Sequence, residues 1–503
     1  MSIGAEERRS FRLVVIGAGF GGLGMATRLT KAGVDDFVVL ERAQELGGTW
    51  RENTYPGCRC DVPSHLYSYS FELNPDWSST FSGQAEIWEY MKRVARDHGA
   101  YPHIRFGHDV SGASWDEEAR RWRIETNRGE FTAQVLVAAP GPLFEPSIPP
   151  LEGIESFAGA SWHSARWDHH FDLAGKSVAV IGTGASAIQF VPRIRPQVAK
   201  LHLFQRTAPW VLPRPDRPIT GLERRLYRLF PLAQKLMRAI IYWVRESFMV
   251  GFAKQPRIMM LAEQVSKAML RRQVPDPQLR RKVTPQFRLG CKRVLLADDY
   301  YPALAQPNVE VITSGVREVR ERSIVDGDGV ERPVDAIIYG TGFHVTDMSA
   351  GRMVRGRDGL LLDDFWQGSP QAYLGTAVPG FPNLFLLAGP NTGIGHTSLV
   401  FLLECQIAYV FDCLRTMVDH ALETVEVKRE DWHAYNEEIQ DKSQQTVWLT
   451  GGCQSWYLDR NGRNTTLYPD FTFKFRRMTR RFNLEDYVAT EREPANSPGA
   501  AVA

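Results

Sequence analysis

Cysteine is scarce in this 503-residue chain: Cys58, Cys60, Cys291, Cys405, Cys413 and Cys453 stand at none of the spacings of a disulfide-framed secreted domain or a CxxC zinc site. A reducing, cytoplasmic location without a metal site is therefore expected. An excess of charge of one sign is also lacking, because 60 Lys and Arg against 58 Asp and Glu leave a net charge of +2. That balance argues against a broad polyanion footprint, so nucleic acid is not an expected partner. Long hydrophobic runs are missing too; no uncharged apolar stretch reaches about 18 residues, and no transmembrane segment is predicted. What is present is the 43% apolar content of a globular chain, long enough for roughly three domains at about 150 residues each.

The most informative residues are glycines. Residues 12–16 form a β-branched run, and Gly17, Gly19 and Gly22 follow in GxGxxG spacing before an apolar-periodic stretch through Ala26 and Leu29. This reads as strand, tight turn and helix. The first glycine permits the turn, the second lets backbone approach a pyrophosphate, and the third lets helix pack on strand with its N-terminus facing the phosphates. A second strand over 37–40 leads to Glu41, 24 residues beyond Gly17, where a carboxylate accepts hydrogen bonds from ribose hydroxyls. The pattern returns at 177–181 with Gly182, Thr183, Gly184, Ala185, Ser186 and Ala187 in GxGxxA order, and the next strand is at 201–204. At the same offset of 24 stands Arg206, whose planar fork pairs with a 2′-phosphate that a carboxylate would repel. NADPH is expected there in preference to NADH.

Each glycine motif is followed by a hairpin-like segment and a final apolar strand: 122–126, a turn at 127–129 and 135–139 in the first copy, and 316–325, a turn at 326–329 and 336–339 in the second. The predicted fold class is α/β, with two nested Rossmann-like dinucleotide-binding domains for FAD and NADPH. The expected layout is an FAD-binding part over 1–145, an NADPH-binding domain over 146–372, a second FAD-binding part over 373–488 and a loose tail over 489–503. A helical insertion at about 220–288 opens on a capping-box pair, Thr220 and Glu223. An acidic and a basic dinucleotide site in one chain imply a resident flavin reduced by NADPH, with electrons passing on to a disulfide, a quinone or dioxygen. The disulfide route is disfavoured, because Gly47 and Gly48 lead into Thr49 and Trp50 and Cys58 is separated from Cys60 by one residue.

Two further motifs occupy the intervening chain. Phe157, Gly159, His163, Trp167 and Asp168 fall in the order FxGxxxHxxxW(P/D), and Gly47, Gly48, Trp50, Tyr55, Pro56, Gly57 and Asp61 in the order GGxWxxxx(F/Y)PGxxxD. On these residues the sequence resembles the type I Baeyer–Villiger monooxygenases, flavoproteins of the 4-hydroxyacetophenone, phenylacetone and cyclohexanone monooxygenase kind. The resemblance implies NADPH- and O2-dependent conversion of ketones to esters or lactones through a C4a-peroxyflavin. It also implies that Arg293, in the GCKR run at 290–293, is catalytic, that Asp61 holds it, and that Lys292 joins Arg206 and Thr207 around the 2′-phosphate. By the same resemblance Gly48, Thr49, Trp50, Asp61, Gly342 and Asn391 join the glycine motifs at the cofactors, Trp456 lies near the pocket, and His163 is a structural hinge. Cys58 and Cys60 read as packing residues near the flavin.

Two other readings stay open on sequence: a flavin monooxygenase acting on sulfur or nitrogen, and a non-catalytic flavoprotein that senses NADPH. Aromatic residues of the insertion, among them Tyr227, Tyr242, Trp243 and Phe252, favour a small hydrophobic ketone as partner. The apolar segment 229–252, interrupted by Lys235, Arg238 and Arg245, fits weak contact with a membrane surface. A monomer or a homodimer is equally compatible with these features.

Overall fold

The computed structural model describes residues 8–492. The fold is α/β and holds two sheets with parallel cores, each built on one of the glycine motifs. In the first, Ser10–Ile16 runs parallel between Phe37–Glu41 and Gly129–Ala138, with Ile104–Phe106 at one edge. Alternation along Ser10–Ile16 explains its central place. Leu13 and Val15 point into one apolar core and Val14 and Ile16 into another, so both faces of the strand are covered. The helix Phe20–Lys31 follows the first glycine turn and buries Leu23, Ala26 and Leu29 against the sheet. Arg121–Thr126 and Val110–Asp116 extend the sheet as an antiparallel meander, and the expected hairpin turn at 127–129 joins Arg121–Thr126 to Gly129–Ala138.

The second sheet is parallel throughout, in the order Val309–Ile312, Lys200–Phe204, Ser177–Ile181, Ala336–Tyr339, Ala160–His163. The hairpin-like segment over 316–325 is two antiparallel strands, Val316–Arg320 and Ser323–Asp326, which with Glu331–Pro333 beyond the turn make a separate three-stranded sheet. The repeat between the two halves therefore holds for the nucleotide-binding strands and is looser for the meanders.

The chain rejoins the first sheet earlier than the expected residue 373. Val354–Arg355 already pairs with Val110–Asp116, and Leu384–Leu386 then adds beside Gly129–Ala138. The insertion is helical, with Gly221–Leu229, Pro231–Ser247, Met259–Gln273 and Pro277–Lys282. Its first helix starts where the sequence placed it: the Glu223 N–H donates to Thr220 Oγ1 at 3.2 Å, and the Thr220 N–H donates to Glu223 Oε2 at 2.9 Å. Among the described residues no helix is long and apolar enough to cross a membrane.

Two expectations are corrected. The first part of the predicted tail is a strand, Tyr487–Glu491, paired antiparallel with Leu422–Val427; the rest, from residue 493, lies outside the described residues. The cysteines are not all unpaired either, because Cys291 and Cys453 form a disulfide across 162 residues of sequence. Local spacing carries no trace of a bond between partners so far apart. It ties the turn that carries Arg293 to the segment that carries Tyr457. Cys58, Cys60, Cys405 and Cys413 are free thiols. Thiol titration of the unfolded, unreduced protein should thus count four reactive groups, rising to six after reduction; six before reduction would remove the bond.

Candidate active site

The first glycine turn is shaped by backbone crowding. Gly17 sits at φ +93°, and a Cβ there would lie 2.6 Å from the Ala139 carbonyl oxygen; at Gly22 it would lie 1.8 Å from the Gly17 oxygen. Gly19 is different, since its nearest neighbour would be the Gly48 Cα at 3.7 Å. Its place is set by closeness between two backbone segments and by the cleft above them. That cleft, of about 440 Å³, is lined by Gly17, Gly19, Glu41, Gly48, Thr49 and Trp50 together with the 139–146 loop. Glu41 is buried at its rim and accepts hydrogen bonds from the Ala18 N–H at 2.8 Å, the Ala43 N–H at 3.0 Å and Arg51 Nη1 at 3.0 Å. A carboxylate fastened to its own glycine turn, beside exposed glycine backbone and the N-terminus of Phe20–Lys31, fits the adenosine and pyrophosphate of a dinucleotide such as FAD.

The second cradle repeats this at Gly182, at φ +107°, where a Cβ would lie 2.3 Å from the Gly340 oxygen. Thr183 Oγ1 donates to the Thr207 carbonyl at 3.2 Å, which holds the residue after Arg206 against the turn. Gly184 and Ala185 expose their backbone, and Ser186 stands at the N-terminus of the helix Ala187–Ile194. Gly342 faces open space and adopts φ +89°, a conformation that favours glycine. Lys292 has its ammonium pKa pushed down, chiefly by burial and then by the charge of nearby Arg206. Two cations held close to each other suit a doubly charged phosphate.

The motif residues between the cradles turn out to be packing devices. Tyr55 donates to Gln189 Oε1 at 3.1 Å, and the Gln189 amide donates back to the Arg59 carbonyl at 3.1 Å, which clamps the 55–61 loop to the helix Ala187–Ile194. Trp167 packs on Phe190 of that helix with ring centres 5.3 Å apart. Gly159 leaves room for Phe157, whose ring a Cβ would meet at 2.5 Å, and the Asp168 carboxylate accepts from the His170 N–H at 2.9 Å. His163 is buried at the end of Ala160–His163; its Nδ1 accepts from the Ala165 N–H at 3.1 Å, and burial pushes its pKa down to about 4. A neutral, buried, hydrogen-bonded imidazole is a structural element here.

The clamped loop ends in Asp61, and here the charges converge. Arg293 meets it as a two-pronged fork, Nε to Oδ2 at 2.7 Å and Nη2 to Oδ1 at 2.7 Å. Burial alone would raise the Asp61 carboxyl, but Arg293 outweighs it and holds the group below the ordinary carboxylate range. Asp61 in turn raises Arg293, so the pair stays ionised. A second guanidinium, Arg245, donates Nη2 to the Asp61 carbonyl oxygen at 2.9 Å from the helix Pro231–Ser247. Cys60, Tyr67 and Tyr457 around the pair are kept neutral, their ionisation pushed up mainly by burial. One carboxylate between two guanidiniums leaves the cluster with a net positive charge. Tyr67 lines the first cleft and feels both Asp61 and Arg293, while Lys292, one residue before Arg293, stands by Arg206 of the second cradle. The turn 290–293 therefore sits at the junction of the two nucleotide sites.

A family described as Pyridine nucleotide-disulphide oxidoreductase matches residues 14–220. A Baeyer-Villiger monooxygenase of Streptomyces coelicolor is 50% identical over 485 residues, 96% of this chain and 93% of its own length. The chain belongs to the Baeyer–Villiger monooxygenases. A second member, from Pseudomonas aeruginosa, is 49% identical over 484 residues, 96% of this chain and 92% of its own. The solved structure of OTEMO in complex with FAD and NADP superposes with a TM-score of 0.87 at 27% identity, covering 96% of this chain and all of that one.

Three placements within this Baeyer–Villiger frame differ from what sequence alone offered. In the sequence Arg245 is a charge interrupting an apolar segment, and the structure sets it on the inward, polar side of the helix Pro231–Ser247, where it donates to the Asp61 carbonyl. Asn391 spends its side-chain amide on the carbonyls of Asn464 at 2.7 Å and Leu467 at 3.2 Å, which pins a loop. Trp456 is 42% exposed and packs edge-on against Tyr457, and it is Tyr457, fully buried, that faces Arg293. Arg206→Ala should raise the KM for NADPH by about tenfold or more while leaving that for NADH nearly unchanged, because only NADPH carries the extra phosphate. Equal losses with both nucleotides would place the phosphate contact elsewhere.

Proposed function

We propose that the chain binds FAD in the first cradle and NADPH in the second and converts small apolar ketones, with dioxygen, to esters or lactones. The observation that carries this is the Asp61–Arg293 fork with Arg245 behind it, a fixed cationic cluster at the junction of two dinucleotide sites. FAD reduced by NADPH supplies the activated dioxygen that such a reaction inserts. Arg293 holds a permanent positive charge where negative charge collects on oxygen, and being held already, it needs no reorganisation at the moment of reaction. Asp61 fixes the plane of that guanidinium, and its two oxygens are both taken by Arg293, so it orients the cation instead of serving as a base. Arg245 offsets the Asp61 charge, without which the carboxylate would cancel the field of Arg293. The neutral Cys60, Tyr67 and Tyr457 add no competing charge. Lys292, Arg206 and Thr207 hold the reductant, and the 55–61 loop couples its cradle to Asp61 through Gln189.

The reading separates from oxidation at sulfur or nitrogen by its need for a cation at that position. Arg293→Ala should keep FAD bound and reducible by NADPH yet lower ester formation from a ketone by about 10²-fold or more, the scale of losing one fixed charge-stabilising donor. Ester formation within a few-fold of the unaltered protein would overturn the assignment.

A further inference from the structure

The helix Pro231–Ser247 is turned inside out. Its inward side is polar: Gln234 is 2% exposed, Arg238 9% and Glu246 1%. Its outward side is apolar, with Leu232, Leu236, Ile240, Trp243 and Val244 each at least half exposed. These five recur at three- and four-residue steps and so form one stripe. The polar side is held by the body of the protein. Arg238 Nη1 donates to the carbonyls of His65 at 2.9 Å and Leu66 at 3.0 Å, Gln234 donates to the Asn74 carbonyl at 2.6 Å, and Glu246 accepts from Thr472 Oγ1 at 2.8 Å. The helix is therefore seated in this orientation by buried hydrogen bonds, and the outward stripe is a consequence of how it docks. Leu222, Leu226 and Leu229 of the preceding helix, Gly221–Leu229, are exposed at the same helical spacing. So much contiguous apolar surface marks a place where something else binds.

The charge around the stripe says what. The one acid of Pro231–Ser247 is Glu246, which is buried, so the outward face shows Lys235 and no carboxylate. Beside it lies the short helix Thr472–Met478, joined through the Trp243 and Phe473 rings, 5.9 Å apart, and through Tyr242 Oη and Thr472 Oγ1 at 3.0 Å. Three and four residues beyond exposed Phe473, on the same helix, stand exposed Arg476 and Arg477, and exposed Arg480 and Arg481 follow just past its end. None of these four arginines has an ion-pair partner among the described residues, and a second copy of this face would offer them no free carboxylate. An apolar stripe rimmed by unpaired cations matches the boundary between acyl chains and anionic headgroups.

We propose that this face docks on an anionic bilayer surface, with Pro231–Ser247 lying in the interface plane and Arg476, Arg477, Arg480 and Arg481 on lipid phosphates. The docking stands independently of the ketone reading. If that reading holds as well, docking places the far side of the same helix, through Arg245 and the Asp61 carbonyl, between the bilayer and the reactive cluster. An apolar substrate dissolved in lipid would then reach the site without crossing water.

Flotation of the flavin-loaded protein with phosphatidylcholine vesicles containing about 30% phosphatidylglycerol tests the proposal. The protein should float with these vesicles and bind pure phosphatidylcholine about tenfold more weakly. The double variant Leu236→Glu/Ile240→Glu, and separately Arg476→Glu/Arg477→Glu, should each lose about tenfold or more in binding while keeping flavin content and thermal unfolding, because all four side chains are exposed. Unaltered protein that stays in the bottom fraction at every lipid concentration would overturn the proposal, as would variants that bind undiminished. A concentration-dependent dimer in sedimentation velocity that Leu236→Glu/Ile240→Glu dissociates would overturn it too, by giving the stripe to a second copy.

Discussion

The half-buried Asp61, its carboxylate forked by Arg293 and its backbone carbonyl held by Arg245, is the constraint on which the rest of this structure depends. Partly removing a carboxylate from water is costly, and Asp61 stays ionised because Arg293 is placed against it. The placing draws on distant parts of the chain. Asp61 comes from the loop that follows the first glycine cradle, Arg293 from the turn after the helical insertion, and Arg245 from within that insertion. Misplacing any one leaves a half-buried polar group without its partner, so the positions of the loop, the insertion and the 290–293 turn are energetically linked. The clamp from Tyr55 and Arg59 to Gln189 and the disulfide from Cys291 to Cys453 hold two of those three pieces.

The same arrangement joins chemistry to surface. Pro231–Ser247 puts its polar side chains inward because Asp61, the His65 and Leu66 carbonyls and Thr472 all need partners there, and its apolar side is thereby left outward. What makes the reactive cluster cationic and what makes the exterior greasy are two faces of one helix. A substitution that rotated this helix to bury its leucines would strip Arg245 from Asp61.

Much of this was legible in the sequence, for reasons that differ by residue. Gly17, Gly22 and Gly182 were readable because a Cβ at each would strike a carbonyl oxygen, a local constraint that leaves a fixed spacing. The offset of 24 from Gly182 singles out Arg206 in the sequence, and the structure sets Arg206 near Lys292. The Asp61–Arg293 pairing came only through family resemblance, since nothing local links residues so far apart. Arg245 escaped because helical periodicity identifies two faces without saying which one the protein keeps. The Cys291–Cys453 bond and the early return of the chain at Val354–Arg355 escaped because both are long-range. Asn391 lies in a glycine-rich turn that matches a cofactor loop, yet its side chain serves the adjacent loop.

The central claim is that Asp61 acts through Arg293, and a double-mutant cycle on ester formation tests it most directly. Asp61→Ala and Arg293→Ala should each cause a large loss, and the double variant should be no worse than Arg293→Ala alone, because without the guanidinium there is nothing left for the carboxylate to orient. Losses that multiply in the double variant would show two independent roles and contradict the account.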